Sequence, residues 1–169
     1  MRDSVPVLMV KLPVPIVLFL ILVLGGCAGS AAGGGTTPTG IGSATLDLTP
    51  SRDSGVSGTA TLTNVGRSVQ VELNMENLPD QPGAEHPAHI HAGGTCADDR
   101  AGNEAPIQYP LSSVITQEGG TGTSTTVIEG VNTGALFSGE SKYVNVHAEK
   151  TGASSPPGIS CADLPSKGG

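Results

Sequence analysis

The 169-residue chain contains no tryptophan and only four aromatic residues, two tyrosines and two phenylalanines. Phe19 lies in an early apolar run, so Tyr109, Phe137 and Tyr143 are the aromatics left beyond it. A core must then come from Val, Ile, Leu and Ala, a palette that favours strands over large helices. Basic residues are also scarce, with 8 Lys and Arg against 15 Asp and Glu. The six beyond the leader, Arg52, Arg67, Arg100, Lys142, Lys150 and Lys167, are scattered. With neither a basic stripe nor an aromatic platform, nucleic-acid binding is excluded. No Gly-x-Ser-x-Gly elbow and no free activated cysteine supports nucleophilic catalysis.

No apolar run is long enough to cross a bilayer. The longest, residues 12–24, follows Arg2 and Lys11 and is interrupted by Pro13 and Pro15. Its length suits the apolar centre of a secretory signal. It ends in Leu24-Gly25-Gly26-Cys27, which resembles a bacterial lipobox: a branched residue, two small ones, then the cysteine that takes a lipid. We therefore expect a signal peptide over 1–26, lipidation at Cys27 and an exported protein held on the extracytoplasmic face of a cell membrane. Removing Arg2, Lys11 and Asp3 takes two positive charges and one negative, which moves the formal charge from −7 to −8. Residues 27–42, rich in Gly, Ser, Ala and Thr, read as a flexible tether. Residues 43–164 are enough for one domain with one core, and 165–169 read as a frayed tail.

Within the domain, alternating or β-branched segments recur at 43–48, 58–63, 68–75, 86–91, 111–116, 123–128, 143–148 and 159–164, separated by Gly, Pro, Asn, Asp or Ser. No amphipathic helical stretch of useful length follows Cys27. Eight short strands predict an all-β fold, an antiparallel Greek-key barrel or sandwich. Thr63-Asn64-Val65-Gly66 reads as a hairpin turn. Met75, beside Leu73 on a strand, reads as core.

All four histidines fall in two of these segments. In an extended strand residues i and i+2 share a face, so His89 and His91 point one way and Ile90 the other. In the later segment, Tyr143, Asn145, His147 and Glu149 share a face opposite Val144, Val146 and Ala148. His147 completes a cluster of three imidazoles if the two strands are neighbours, with Asn145 or Glu149 available to orient a ligand. Cys96 and Cys161 form an even remainder once Cys27 is lipidated, for which a disulfide is expected in an oxidising compartment. Service of the two thiols as metal ligands is the alternative. Asp98-Asp99-Arg100 with Asn103-Glu104 reads as a solvated acidic loop, because it lacks the spacing and central glycine of an EF-hand.

His86-Pro87-Ala88-His89-Ile90-His91, then Cys96, Val146-His147-Ala148-Glu149 and Ile159-Ser160-Cys161 resemble the copper/zinc superoxide dismutase family. The resemblance covers most of residues 43–164 and implies a Greek-key β-barrel. It implies copper ligands at His89, His91 and His147, a structural histidine at His86 and a disulfide between Cys96 and Cys161. There are also departures. Between His91 and His147 the family has a bridging histidine and further zinc ligands, and this interval holds no histidine. Zinc of the family type is therefore not expected. The family's arginine, three residues before the last cysteine, is here Gly158. His89-Ile90-His91 with Gly93, and Tyr143-Val144-Asn145-Val146-His147, also resemble the CHRD module.

These readings predict a membrane-anchored lipoprotein that binds copper through three histidines, for holding or buffering the ion. The alternatives are a copper-only superoxide dismutase of low activity and a CHRD-like structural or adhesion module without metal. The expected partners are membrane lipid at Cys27 and the copper ion, with no nucleic acid.

Overall fold

A computed structural model describes residues 37–38 and 42–166, except 80 and 153–154. The chain divides into Met1–Ala32 and Gly33–Gly169, and every described residue belongs to the second unit. The expected signal peptide, the lipidation site Cys27 and most of the tether lie outside the described residues. Among the described residues no helix is long and apolar enough to cross a membrane.

The described residues form nine antiparallel strands and two short helices. In chain order these are β1 (Thr37–Pro38), β2 (Ser43–Pro50), β3 (Ser57–Val65), β4 (Ser68–Glu76), β5 (Glu85–Ala92), α1 (Cys96–Arg100), β6 (Ile107–Thr116), β7 (Gly122–Ile128), α2 (Thr133–Leu136), β8 (Lys142–His147) and β9 (Gly158–Asp163). The sheet runs β1-β2-β3-β4-β7-β6-β5-β8-β9, and a β2–β9 pairing closes it. The barrel thus has eight strands, β2 to β9. The two-residue β1, within the segment read as tether, lies along β2 with Thr37 opposite Thr45. Connections from β4 to β5 and from β7 to β8 pass over intervening strands, which makes the barrel a Greek key.

Period-two patterning explains which side of each strand faces inward. On β2, Ala44, Leu46 and Leu48 are buried while Asp47 is exposed; on β4, Val69, Val71, Leu73 and Met75 are buried while Glu72 and Glu76 are exposed. Leu46, Leu48, Val69, Val71, Leu73 and Met75 join Leu62, Ala88, Ile90, Val114, Val144 and Val146 in one apolar core. Each fully buried Leu, Ile or Val contributes roughly 1.5–3 kcal/mol.

The β3–β4 hairpin turns on Gly66 and Arg67, two residues later than Thr63-Asn64-Val65-Gly66 suggests. Asn64 stays in the strand because it has partners on both sides: its N–H donates to the Gly42 carbonyl and its Oδ1 accepts from the Thr133 N–H. Gly66, at φ +62°, takes the positive angle that this tight turn needs at its first position.

Two irregularities interrupt the β5–β6 ladder. One lies between His86 and Ala88, where Pro87 has no N–H to donate; the other lies between Ile90 and His91. Just beyond β5, Cys96 forms a disulfide with Cys161 of β9, their Cα atoms 5.9 Å apart and 65 residues apart in sequence. Disulfides persist in oxidising compartments, in keeping with an extracytoplasmic setting.

Six of the seven residues of 98–104 are exposed, as their acidity suggests, but the segment is not loop throughout and Asp99 is the exception. Cys96–Arg100 is helical, with Thr95 and Asp98 forming a reciprocal capping box at its start. Asp99 is buried, and its carboxylate accepts a hydrogen bond from Arg52 at 3.0 Å. Arg52 also donates to the backbone carbonyls of Asp99 and Gly158, so one guanidinium fastens α1 to the start of β9.

Candidate metal centre

β5 and β8 are neighbours, with Ala88 opposite Val146, His89 opposite Asn145 and His91 opposite Tyr143. Ala88, Ile90, Val144 and Val146 point into the core. Alternation therefore sends His89, His91, Tyr143, Asn145 and His147 to the outer face of the barrel. The segment carrying the disulfide and α1 covers that face, as does the backbone at Pro156, and all six β8 residues are buried.

The ligand-capable nitrogens of His89, His91 and His147 all lie within 4.8 Å of one another. His89 Nδ1 and His147 Nε2 are 3.2 Å apart. His91 Nδ1 donates to the Ala105 carbonyl at 2.7 Å, and His147 Nδ1 donates to the Pro156 carbonyl at 2.8 Å. Each of these bonds assigns the proton to Nδ1 and leaves Nε2 as the lone-pair atom of the neutral ring. Backbone carbonyls, and not Asn145 or Glu149, thus orient these two rings.

Two of the three rings have their pKa lowered by their surroundings. Burial, then the adjacent His147 and His91, push the His89 pKa down to about 4. Burial also lowers that of His147, against the opposing pull of the Pro156 carbonyl and Glu104. Unprotonated imidazoles are the form that binds metal.

Two orphaned groups accompany the trio. His91 Nε2 is fully buried and has no hydrogen-bond partner among the described residues. The Asn145 side-chain amide is likewise buried with neither atom bonded. A Cβ at position 158 would lie 2.5 Å from Asn145 Nδ2, so Gly158 is the residue that leaves room for that amide. Buried polar atoms are otherwise almost always satisfied, so an orphan aimed into a cluster of lone pairs marks a place for a cation. The three histidines fit a transition-metal ion in donor type, protonation and spacing.

His86 stands apart from the trio. Its Nδ1 donates to the His147 carbonyl at 2.9 Å and its Nε2 accepts from the Thr116 hydroxyl at 3.0 Å, tying β5 to β8 and β6. Cys96 and Cys161 are bonded to each other, and with Tyr143 they form a small second core.

Glu104 and Tyr143 belong to the site and were not singled out as site residues by sequence. The His91 ring stacks on Tyr143, centroids 4.8 Å apart and planes 8° apart. Glu104 Oε1 lies 3.5 Å from His91 Nε2 and 3.7 Å from His147 Nε2. Glu104 stands thirteen residues beyond His91 with no recurring spacing to mark it, and the Ala105 and Pro156 carbonyls carry no sequence signal at all.

The family model described as CHRD domain matches residues 30–154, ending before β9 and Cys161. Among solved structures, a Cu/Zn superoxide dismutase from Brucella abortus is similar over 72% of this chain and 99% of its own, at 18% identity and a TM-score of 0.52. At that identity the likeness is one of fold. No curated protein matches the sequence significantly.

Proposed function

The chain belongs to the CHRD domain family, and from that premise we propose that its barrel binds one copper ion through His89, His91 and His147. In this reading it is a copper-holding or copper-buffering module, tethered through a lipid on Cys27 to the extracytoplasmic face of a bacterial membrane. The observation that carries it is the buried Nε2 of His91, which has no hydrogen-bond partner among the described residues and shares one cluster with His89 and His147, their nitrogens all within 4.8 Å. Imidazole donors suit copper, which also heads the affinity order of divalent first-row metals. Copper bound there would supply a redox-active centre. The residues of the chain themselves position the donors, keep them unprotonated and cover the face on which they sit.

Metal analysis of the purified protein beside a His89→Ala/His147→Ala variant tests the proposal. One copper per chain is expected in the first and none in the second. No uptake by the parent protein at micromolar copper would refute it.

Superoxide dismutation draws on the same trio, and the barrel likeness supports asking the question. Against it stand Gly158 at the anion-anchoring position, a formal charge of −8 once the leader is removed and the Glu104 carboxylate over the centre. Little activity is expected of the copper-loaded protein, and a rate that rises as salt falls would overturn that expectation.

A further inference from the structure

We propose that Glu104 is a fourth donor of this centre and that its carboxylate biases the site toward a divalent ion over Cu(I). The inference rests on the copper reading above and deepens it.

Donor spacing suits a four-coordinate ion. Four donors arranged tetrahedrally about 2.0–2.1 Å from an ion stand about 3.3 Å from one another. Glu104 Oε1 lies 3.5 Å and 3.7 Å from two of the imidazole nitrogens, and His89 Nδ1 lies 3.2 Å from His147 Nε2. These three of the six separations are close to the edges of such a polyhedron, and the imidazole nitrogens, all within 4.8 Å of one another, would draw in around an ion.

Proton placement points the same way. His91 and His147 spend their Nδ1 protons on the Ala105 and Pro156 carbonyls, so Nε2 of each neutral ring presents a lone pair. A carboxylate is also acceptor-only. With the Nδ1 proton spent on the Ala105 carbonyl, the approach of His91 Nε2 to Glu104 is favourable when a cation or a second ring proton lies between them.

The backbone beside Glu104 is fixed by the site itself. Ala105, the next residue, is gripped at both ends, since its carbonyl accepts from His91 Nδ1 and its N–H donates to the Tyr143 hydroxyl at 3.1 Å. Tyr143 in turn stacks on His91. The ring that offers the orphaned nitrogen and the ring stacked upon it thus bring in the carboxylate.

Adding one anionic oxygen to three neutral nitrogens lowers the net charge of a bound divalent ion and hardens the donor set. Divalent ions gain from both, while Cu(I), softer and singly charged, gains less.

The test is Glu104→Gln, which keeps the size and removes the charge at a side chain 38% exposed, where folding should be unaffected. Thermal unfolding of the apoprotein checks that. Cu(II) affinity, by competition with a chelator, should fall about tenfold or more, while Cu(I) affinity under reductant should change less than about threefold. The Cu(II) electron paramagnetic resonance spectrum should also shift. Equal losses in both oxidation states, or an unchanged spectrum with unchanged Cu(II) affinity, would overturn the role of Glu104 and leave the three-histidine centre standing. If the parent protein takes up no copper, it is the copper reading that fails.

Discussion

Two parts of the barrel's outer surface are built from strands of the same kind and yet meet water differently. On β4 and β7 the outward residues Glu72, Thr123, Thr125 and Val127 are exposed, as alternation alone would have it. On β8 the outward residues Tyr143, Asn145 and His147 are 0%, 0% and 2% exposed. The difference comes from what lies over the strands. The face of β5 and β8 is roofed by a segment pinned through the Cys96–Cys161 disulfide and the Arg52–Asp99 contact. Burying a polar face costs free energy unless each group finds a partner, and here backbone carbonyls and an aromatic stack serve, while two groups are left orphaned. A covered outer face can therefore carry chemistry that an open one would lose to solvent.

Removing the pin should have the largest effect. The Cys96→Ser/Cys161→Ser variant is expected to lose about 2–4 kcal/mol on the chain-entropy model, read by denaturant unfolding, and copper affinity should fall with it because the roof also carries Glu104. Unchanged copper affinity would mean that the strands alone organise the site.

Gly158→Ala should come next. The new methyl would press on the Asn145 amide, costing about 1–3 kcal/mol. Asn145→Ala in the same chain should restore most of that loss, a coupling that a double-mutant cycle measures. Thr125→Ala, on the open face, should stay within about 0.5 kcal/mol of the parent.

Stability should also depend on pH. His89, held near pKa 4 against an ordinary 6.5, binds its proton less readily in the folded chain than in the unfolded one. The unfolded state thus takes up more protons as pH falls through this window, so apoprotein stability should decline from pH 6.5 toward about 4. The lowered His147 acts in the same direction. Melting temperatures in the presence of a chelator should show this decline, and His89→Gln should flatten it.

Much of the barrel was legible in the residues. The eight segments marked by period-two alternation all became strands, because one face of each had to meet an apolar core. The turn at Gly66-Arg67 was displaced because Asn64 found strand partners and a contact with α2 that no local pattern announces. The acidic stretch from Asp98 to Glu104 is exposed as read, except at Asp99. Its charges suggest solvent, but Asp99 met an arginine 47 residues earlier in the chain, and Glu104 was carried to the imidazoles.

By itself the sequence determined the alternation that sends His89, His91 and His147 outward while Ile90, Val144 and Val146 go in, because side-chain direction in a strand is a local property. It also supplied the two cysteines and the absence of any further histidine between His91 and His147. Only the tertiary structure decided that β5 and β8 lie side by side, that the Ala105 and Pro156 carbonyls take the Nδ1 protons, and that Glu104 faces the remaining lone pairs. Those relations join residues distant along the chain through backbone atoms that every residue possesses, so no choice of side chain could spell them out in advance.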